Sequence, residues 1–153
     1  MDIRRLDLRD RELAEELWAL QHAAYRQEAD LIGVPSLPPL QDTVQSLQNC
    51  GETFYGCFGD DGELVGAVST EAEDGGMTVC RMMVHPARFR QGIGSRLMSY
   101  VLSETPSVRE WTVTAEIRNL PAIRLYERHG FLPGGTFQPA PDITMVRLSR
   151  KTE

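Results

Sequence analysis

The residues with the most chemistry to offer lie in the stretch HPARFRQGIGSRLMSYVLSE, His85 to Glu104. Arg81, Arg88, Arg90 and Arg96 fall in or beside it, and no Asp or Glu occurs from Gly75 to Ser103. The chain as a whole carries a formal net charge of −6. A local cationic segment in an acidic chain predicts an anionic ligand. A strand ending at His85-Pro86 and a helix starting around Gly92 would bring unpaired backbone N–H groups and a positive helix end to one point. Phosphate or pyrophosphate suits that arrangement. Gly92 and Gly94 leave the backbone open to close approach, and Ser95 adds a hydroxyl donor. The plainer alternative is a tight strand-to-helix turn with solvated arginines. The segment is not a P-loop, since no Gly-Lys-Ser/Thr follows, and Leu97 stands where a dinucleotide fingerprint needs its third glycine.

At 153 residues and 41% hydrophobic content, with no break in composition, residues 1–153 read as one globular domain. The acidic balance argues against a general nucleic-acid or anionic-membrane binder. MDIRRLDLRD has no apolar run of signal-peptide length, and no window approaches the ~18 apolar residues of a membrane span, so a soluble cytoplasmic protein is expected. Cys50, Cys57 and Cys80 lack the spacing of a zinc site and have no clustered histidines beside them. They read as reduced, mostly buried thiols, and no metal is expected.

The elements that must position the glycine turn follow from pattern. Ile3 to Leu8 suggests a first strand. Asp10 can cap a helix whose Leu13, Leu17, Leu20 and Ala24 recur at helical spacing, ended by Gly33 and Pro35. From the proline-rich loop PSLPPLQD, Asp42 is expected to cap a short second helix. A hairpin turning at Asp61-Gly62 and a second turn, EDGG, lead into the strand MTVCRMMVHP. After the glycine helix come the strand EWTVTAEI, the helix LPAIRLYERHG and two closing strands. The fold class is α+β, or mixed α/β: a mostly antiparallel sheet first, a βαβα unit after it.

MMVHPARFRQGIGSRLMSYVL, followed some twenty residues later by NLPAIRLYERHGF, resembles the GCN5-related N-acetyltransferase (GNAT) family. The family pattern of a strand ending in Val-x-Pro, a Gly-x-Gly/Ala turn, then Asn, Ala-Ile, Leu-Tyr-Glu and Gly-Phe is met by Val84, Pro86, Gly92, Gly94, Asn119, Ala122, Ile123, Leu125, Tyr126, Glu127, Gly130 and Phe131. Phe89 departs from it, standing where the family usually has Gln or Arg. The resemblance implies an acyl-CoA N-acyltransferase fold, with about seven twisted strands, a splayed parallel pair and about four flanking helices. It implies acetyl-CoA as cosubstrate and transfer of acetyl to a primary amine by direct attack in a ternary complex. The acceptor would be a small molecule or a peptide, with no nucleic-acid or membrane partner, and the protein a monomer or homodimer.

By the same resemblance, the backbones of Met82, Met83 and Val84 would pair with the pantetheine arm. Arg90, Gln91, Gly92, Ile93, Gly94 and Ser95 would cradle the pyrophosphate, Asn119 would hold the pantetheine, and Tyr126 would bind and protonate the leaving thiolate. An alkylammonium of pKa ~10.4 cannot attack a thioester at neutral pH, so a base is needed. Family members often place a Glu on the strand before the turn, and MTVCRMMV has none. Alternation along VTAEI puts Glu116 on the face opposite Val113, Ala115 and Ile117, which makes Glu116 the first candidate base, with Glu71 and Glu73 next. Glu28 and Asp30 would attract a cationic acceptor. The missing strand Glu keeps open an acetyl-CoA-binding regulatory or sensing domain without efficient turnover. A nucleotide-binding P-loop protein is disfavoured by the absent lysine.

Overall fold

The computed structural model describes residues 1–152. Seven strands form one sheet: β1 (Asp2–Arg5), β2 (Thr53–Phe58), β3 (Leu64–Glu73), β4 (Gly76–Val84), β5 (Glu110–Glu116), β6 (Leu132–Ala140) and β7 (Ile143–Lys151). Four α-helices accompany it: α1 (Arg11–Ile32), α2 (Val44–Asn49), α3 (Ile93–Glu104) and α4 (Leu120–Arg128). The spatial order is β1-β2-β3-β4-β5-β7-β6. Every neighbouring pair is antiparallel except β4 and β5, which run parallel. Fold class, strand number and helix number are those expected from the sequence.

Local chemistry explains most element ends. The Asp10 side chain accepts from the N–H groups of Glu12 and Leu13, and Gly33 closes α1 at φ 80°. Left-handed backbone there favours a residue without Cβ. Asn119 caps α4 by accepting from Ala122 N. One cap differs from expectation. Thr43, not Asp42, starts α2 through a reciprocal capping box with Ser46. Asp42 is drawn instead into an ion pair with Arg81, 39 residues away.

The two faces of the sheet take different helices. α3 turns Ile93, Leu97, Met98 and Val101 inward, where they meet Val65, Val68, Trp111, Val113, Tyr126 and Phe131. Each such aliphatic side chain contributes about 1.5–3 kcal/mol relative to exposure. On the opposite face Leu17 and Leu20 of α1 and Leu47 of α2 pack on Phe54, Ala67 and Met83. The far end of α1 lies over β7, where Ala29 and Ile32 meet Ile143 with Tyr25 and Met145 beside them. Cys57 is buried and Cys50 half-buried, but Cys80 is exposed, contrary to the expectation of mostly buried thiols.

Candidate active site

The parallel pair is the structural origin of the site. β4 and β5 are in register only at Met77–Thr78–Val79 against Trp111–Thr112–Val113. Beyond Val79 the strands separate, while β4 keeps its other neighbour: Met82, Met83 and Val84 lie opposite Val68, Ala67 and Gly66 of β3. His85 N donates to Val65 O at 2.9 Å. Alternate residues of an antiparallel strand turn their N–H groups to opposite sides, so the amides of Val84 and Met82 point into the opening. Unpaired strand edge facing a slot is a template for an extended ligand.

At the mouth of the slot the chain turns into α3. Gly92, at φ 74°, is its N-cap, and no side chain caps the helix. A Cβ on Gly92 would meet nothing within 4 Å, whereas one on Gly94 would lie 3.2 Å from Leu125 Cδ2 of α4. Gly92 therefore serves the turn, and Gly94 serves the close approach of α3 to α4. Arg90 also takes positive φ, 66°, on an exposed turn residue. The uncapped N–H groups of the first turn and the open backbone around Gly92 fit a pyrophosphate. That fit would rest on the backbone; Phe89 beside it is 48% exposed.

The four arginines of the cationic segment do not act together. Arg81 is half-buried and spent inside the fold: Nε and Nη2 bind the two oxygens of Glu52 at 3.0 and 3.1 Å, and Nη1 reaches Asp42 Oδ2 at 2.6 Å and Gln21 Oε1 at 3.0 Å. Ser69 Oγ donates to the same Glu52, and Gln21 Nε2 to Asp42. The network ties β4 to α1 and to the loop before α2. Arg88 pairs with Glu63, and Arg96 Nη2 donates to Met1 O at 3.3 Å. Arg90 makes no ion pair or side-chain hydrogen bond among the described residues, which leaves it as the exposed cation at the turn.

Tyr126 stands on α4. It is buried, 5% exposed, against Phe131, with ring centroids 6.0 Å apart. Burial first, and the nearby Glu28 carboxylate second, push its phenol well above the ordinary range. The phenol is therefore protonated at neutral pH and available as a donor. Asn119 is buried at the start of the same helix. Tyr25 of α1 lies beside the Met82 amide, and its phenol is likewise raised, by burial first and then by Glu28.

Glu116 does not serve as the expected base. It is 1% exposed, and its oxygens accept from Arg118 N at 2.8 Å, Arg118 Nε at 3.0 Å, Arg118 Nη2 at 2.8 Å and Thr144 N at 3.0 Å. The Arg118 side chain, aided by the backbone amides of Arg118 and Thr144, holds its carboxyl at about 2. A carboxylate that acidic, with four donors on it, is a poor proton acceptor at neutral pH. Alternation holds for Val113 and Ala115, which are buried, but not for Ile117, which is 44% exposed beyond the strand end; Arg118 folds back there and occupies the Glu116 carboxylate. Glu71 and Glu73 pair with Thr78 and Gly76, at the end of β4 where β5 is still attached, away from the slot.

Glu28 is the residue the sequence undervalued. It is partly buried, and it makes no ion pair or side-chain hydrogen bond among the described residues. Burial, then the negative charge of Glu116, raise its carboxyl to about 7. The available signal was an acidic residue interrupting the inward stripe Tyr25, Glu28, Ile32 at i, i+3 and i+7.

The acetyltransferase (GNAT) domain family matches residues 51–133, more than half of the chain, and the protein belongs to that family. UPF0157 protein YqkA of Bacillus subtilis (strain 168) is 34% identical over 133 residues, which are 87% of this chain and 38% of that protein. The chain thus spans well under half the length of that relative. Among solved structures, the ribosomal-protein-S18-alanine N-acetyltransferase of Escherichia coli superposes with TM-score 0.77 at 17% identity, over 98% of this chain and 92% of that one. An aminoglycoside 6'-N-acetyltransferase complexed with coenzyme A gives 0.75 at 17%, over 99% and 97%. At these identities the two structures establish the fold.

Proposed function

We propose that the protein is an acetyl-CoA-dependent N-acetyltransferase acting on a primary amine by direct attack in a ternary complex. The observation that carries this reading is the separation of β4 from β5 beside the buried Tyr126, opening onto the uncapped N-terminus of α3. Membership of the acetyltransferase family and the coenzyme A complex of a fold neighbour support the choice of cosubstrate. When bound, acetyl-CoA supplies an activated acyl carbon and a thiolate leaving group.

The residues divide the work. Arg90, Gln91, Gly92, Ile93, Gly94 and Ser95 hold the pyrophosphate, mainly by backbone N–H groups with Arg90 adding charge. The edge of Met82–Val84 takes the pantetheine arm as an added strand, and Asn119 steadies it from the start of α4. Val84 N–H is aimed where negative charge develops on the acyl oxygen. Tyr126 hydrogen-bonds the departing sulfur and passes it a proton, the reference thiol pKa being ~8.5. Glu116 fixes the end of β5 and the turn into α4, a structural part.

The ion-paired state of Glu116 favours one other reading, an acetyl-CoA-binding regulatory domain without efficient turnover. Release of CoA thiol in the presence of spermidine, an alanyl peptide or kanamycin separates the two. Turnover with any of these amines supports the enzyme; acetyl-CoA binding with no turnover supports the regulatory domain.

A further inference from the structure

We propose that Glu28 takes the proton from the acceptor amine, so that the acceptor enters the slot as a cation from the α1 side. This rests on the acetyltransferase reading above. Four carboxylates at or near the slot have hydrogen-bonded partners or stand elsewhere: Glu116 is held by Arg118 and Thr144, Asp42 and Glu52 by Arg81, and Glu71 lies at the attached end of β4. Glu28, by contrast, is partly buried and makes no ion pair or side-chain hydrogen bond among the described residues.

Its position follows from α1. Tyr25, Glu28 and Ile32 share one helical stripe. Tyr25 packs with the cluster containing Met83 of β4 and with the cluster containing Ile143 and Met145 of β7. Met145 is the register partner of Glu116 on β5. The stripe therefore crosses the gap from β4 to β7, over the opening left by β5. The titratable and charged groups that act electrostatically on Glu28 or are acted on by it are Tyr25 on its own helix, Glu116 from β5 and Tyr126 from α4, and Arg81 of β4 acts on Tyr25. A carboxyl that ionises near 7 in this setting is matched to a proton acceptor working at neutral pH.

The step balances without another reactant. An N–H proton of the bound ammonium moves to Glu28, and the freed nitrogen lone pair forms a bond to the acetyl carbon. The carbon–sulfur bond breaks with its electrons on sulfur, which takes the Tyr126 proton. The second N–H proton of the new amide's nitrogen and the proton on Glu28 then leave to Tyr126 and solvent.

The test is the pH dependence of kcat/KM for Glu28→Gln, with spermidine, an alanyl peptide and kanamycin as probes. Wild-type kcat/KM should rise through a limb near pH 7. The variant should lose about 100-fold at pH 7 and recover toward the free-amine value of ~10.4. Its melting shift with acetyl-CoA should match the wild type, which separates a failed base from a failed cosubstrate site. A variant that parallels the wild type across pH overturns the proposal and leaves the acetyltransferase intact. If acetyl-CoA binds and no probe is acetylated, the acetyltransferase reading fails and the proposal falls with it. Ionisation of Glu28 in the ordinary range near ~4.3 overturns it.

Discussion

Arg118 folds back onto Glu116 two residues earlier, giving it a backbone amide and two guanidinium nitrogens, each at 3.0 Å or less. With Thr144 N from β7 as fourth donor, the pair clamps the end of β5 to the turn that launches α4. The clamp sets where Asn119 and Tyr126 begin.

Glu116→Gln puts an amide N–H against donors and removes the charge they were arranged to meet. Because the folded carboxyl ionises at about 2 and the unfolded one near 4.5, its stabilisation is full above about 4.5 and lost as pH falls toward 2. Chemical denaturation should show a loss of about 3 kcal/mol at pH 7 and a much smaller one near pH 2. The limb of the pH–rate profile should keep its form and move to lower pH, because the Glu116 charge that helps raise the Glu28 carboxyl is gone. Equal stability at pH 7 would contradict the clamp.

Glu28 has the opposite sign. Its folded carboxyl ionises at about 7 against 4.5 in the unfolded chain, so the native state keeps a proton that the unfolded state has lost, and stability falls as pH rises between those values. The difference between 7 and 4.5 corresponds to up to about 3 kcal/mol at 1.36 kcal/mol per decade. Glu28→Gln should therefore match the wild type near pH 4 and be more stable at pH 8, while losing activity. Melting curves at both pH values check this, and an equal or lower stability at pH 8 would count against a desolvated Glu28.

Which parts were legible depended on how local their causes are. The caps by Asp10 and Asn119, the Gly33 stop and the hairpin turns are set within a few residues, and all stood in the sequence. So did the Gly92 turn. The fate of Arg81 did not, because its partners Asp42 and Glu52 lie 39 and 29 residues away and meet it only when α1 and the loop before α2 fold over β4. The same holds for Glu28, whose electrostatic neighbours belong to β5 and α4, and for the Asp42 side chain, which pairs with Arg81 and accepts from the Ser46 hydroxyl while Thr43 caps α2. Spacing reveals which face a residue is on, not which charge crosses over to neutralise it.

Gly94 provides a check on the cosubstrate turn. Saturating acetyl-CoA at 100 times Kd stabilises the wild type by about 2.7 kcal/mol, some 5–10 °C in Tm for a chain of this size. Gly94→Glu should abolish the shift, since its side chain is driven against Leu125 and Val84 and forces the first turn of α3 away from α4, displacing the backbone that meets the phosphate. Gly94→Ala is the control: its Cβ sits 3.2 Å from the flexible end of Leu125, so it should fold and retain most of the shift. Equal shifts in wild type and Gly94→Glu would remove the turn from the binding site.

The most direct measurement is CoA-thiol release from acetyl-CoA, with and without the amine probes, for the wild type and Tyr126→Phe. Because the hydroxyl matters once negative charge forms on sulfur, proton donation by Tyr126 predicts amine-dependent release by the wild type, cut about 10- to 1000-fold in the variant with acetyl-CoA affinity nearly unchanged. An amine-dependent rate that is the same in both proteins, or a wild type that neither binds acetyl-CoA nor releases thiol, would contradict it.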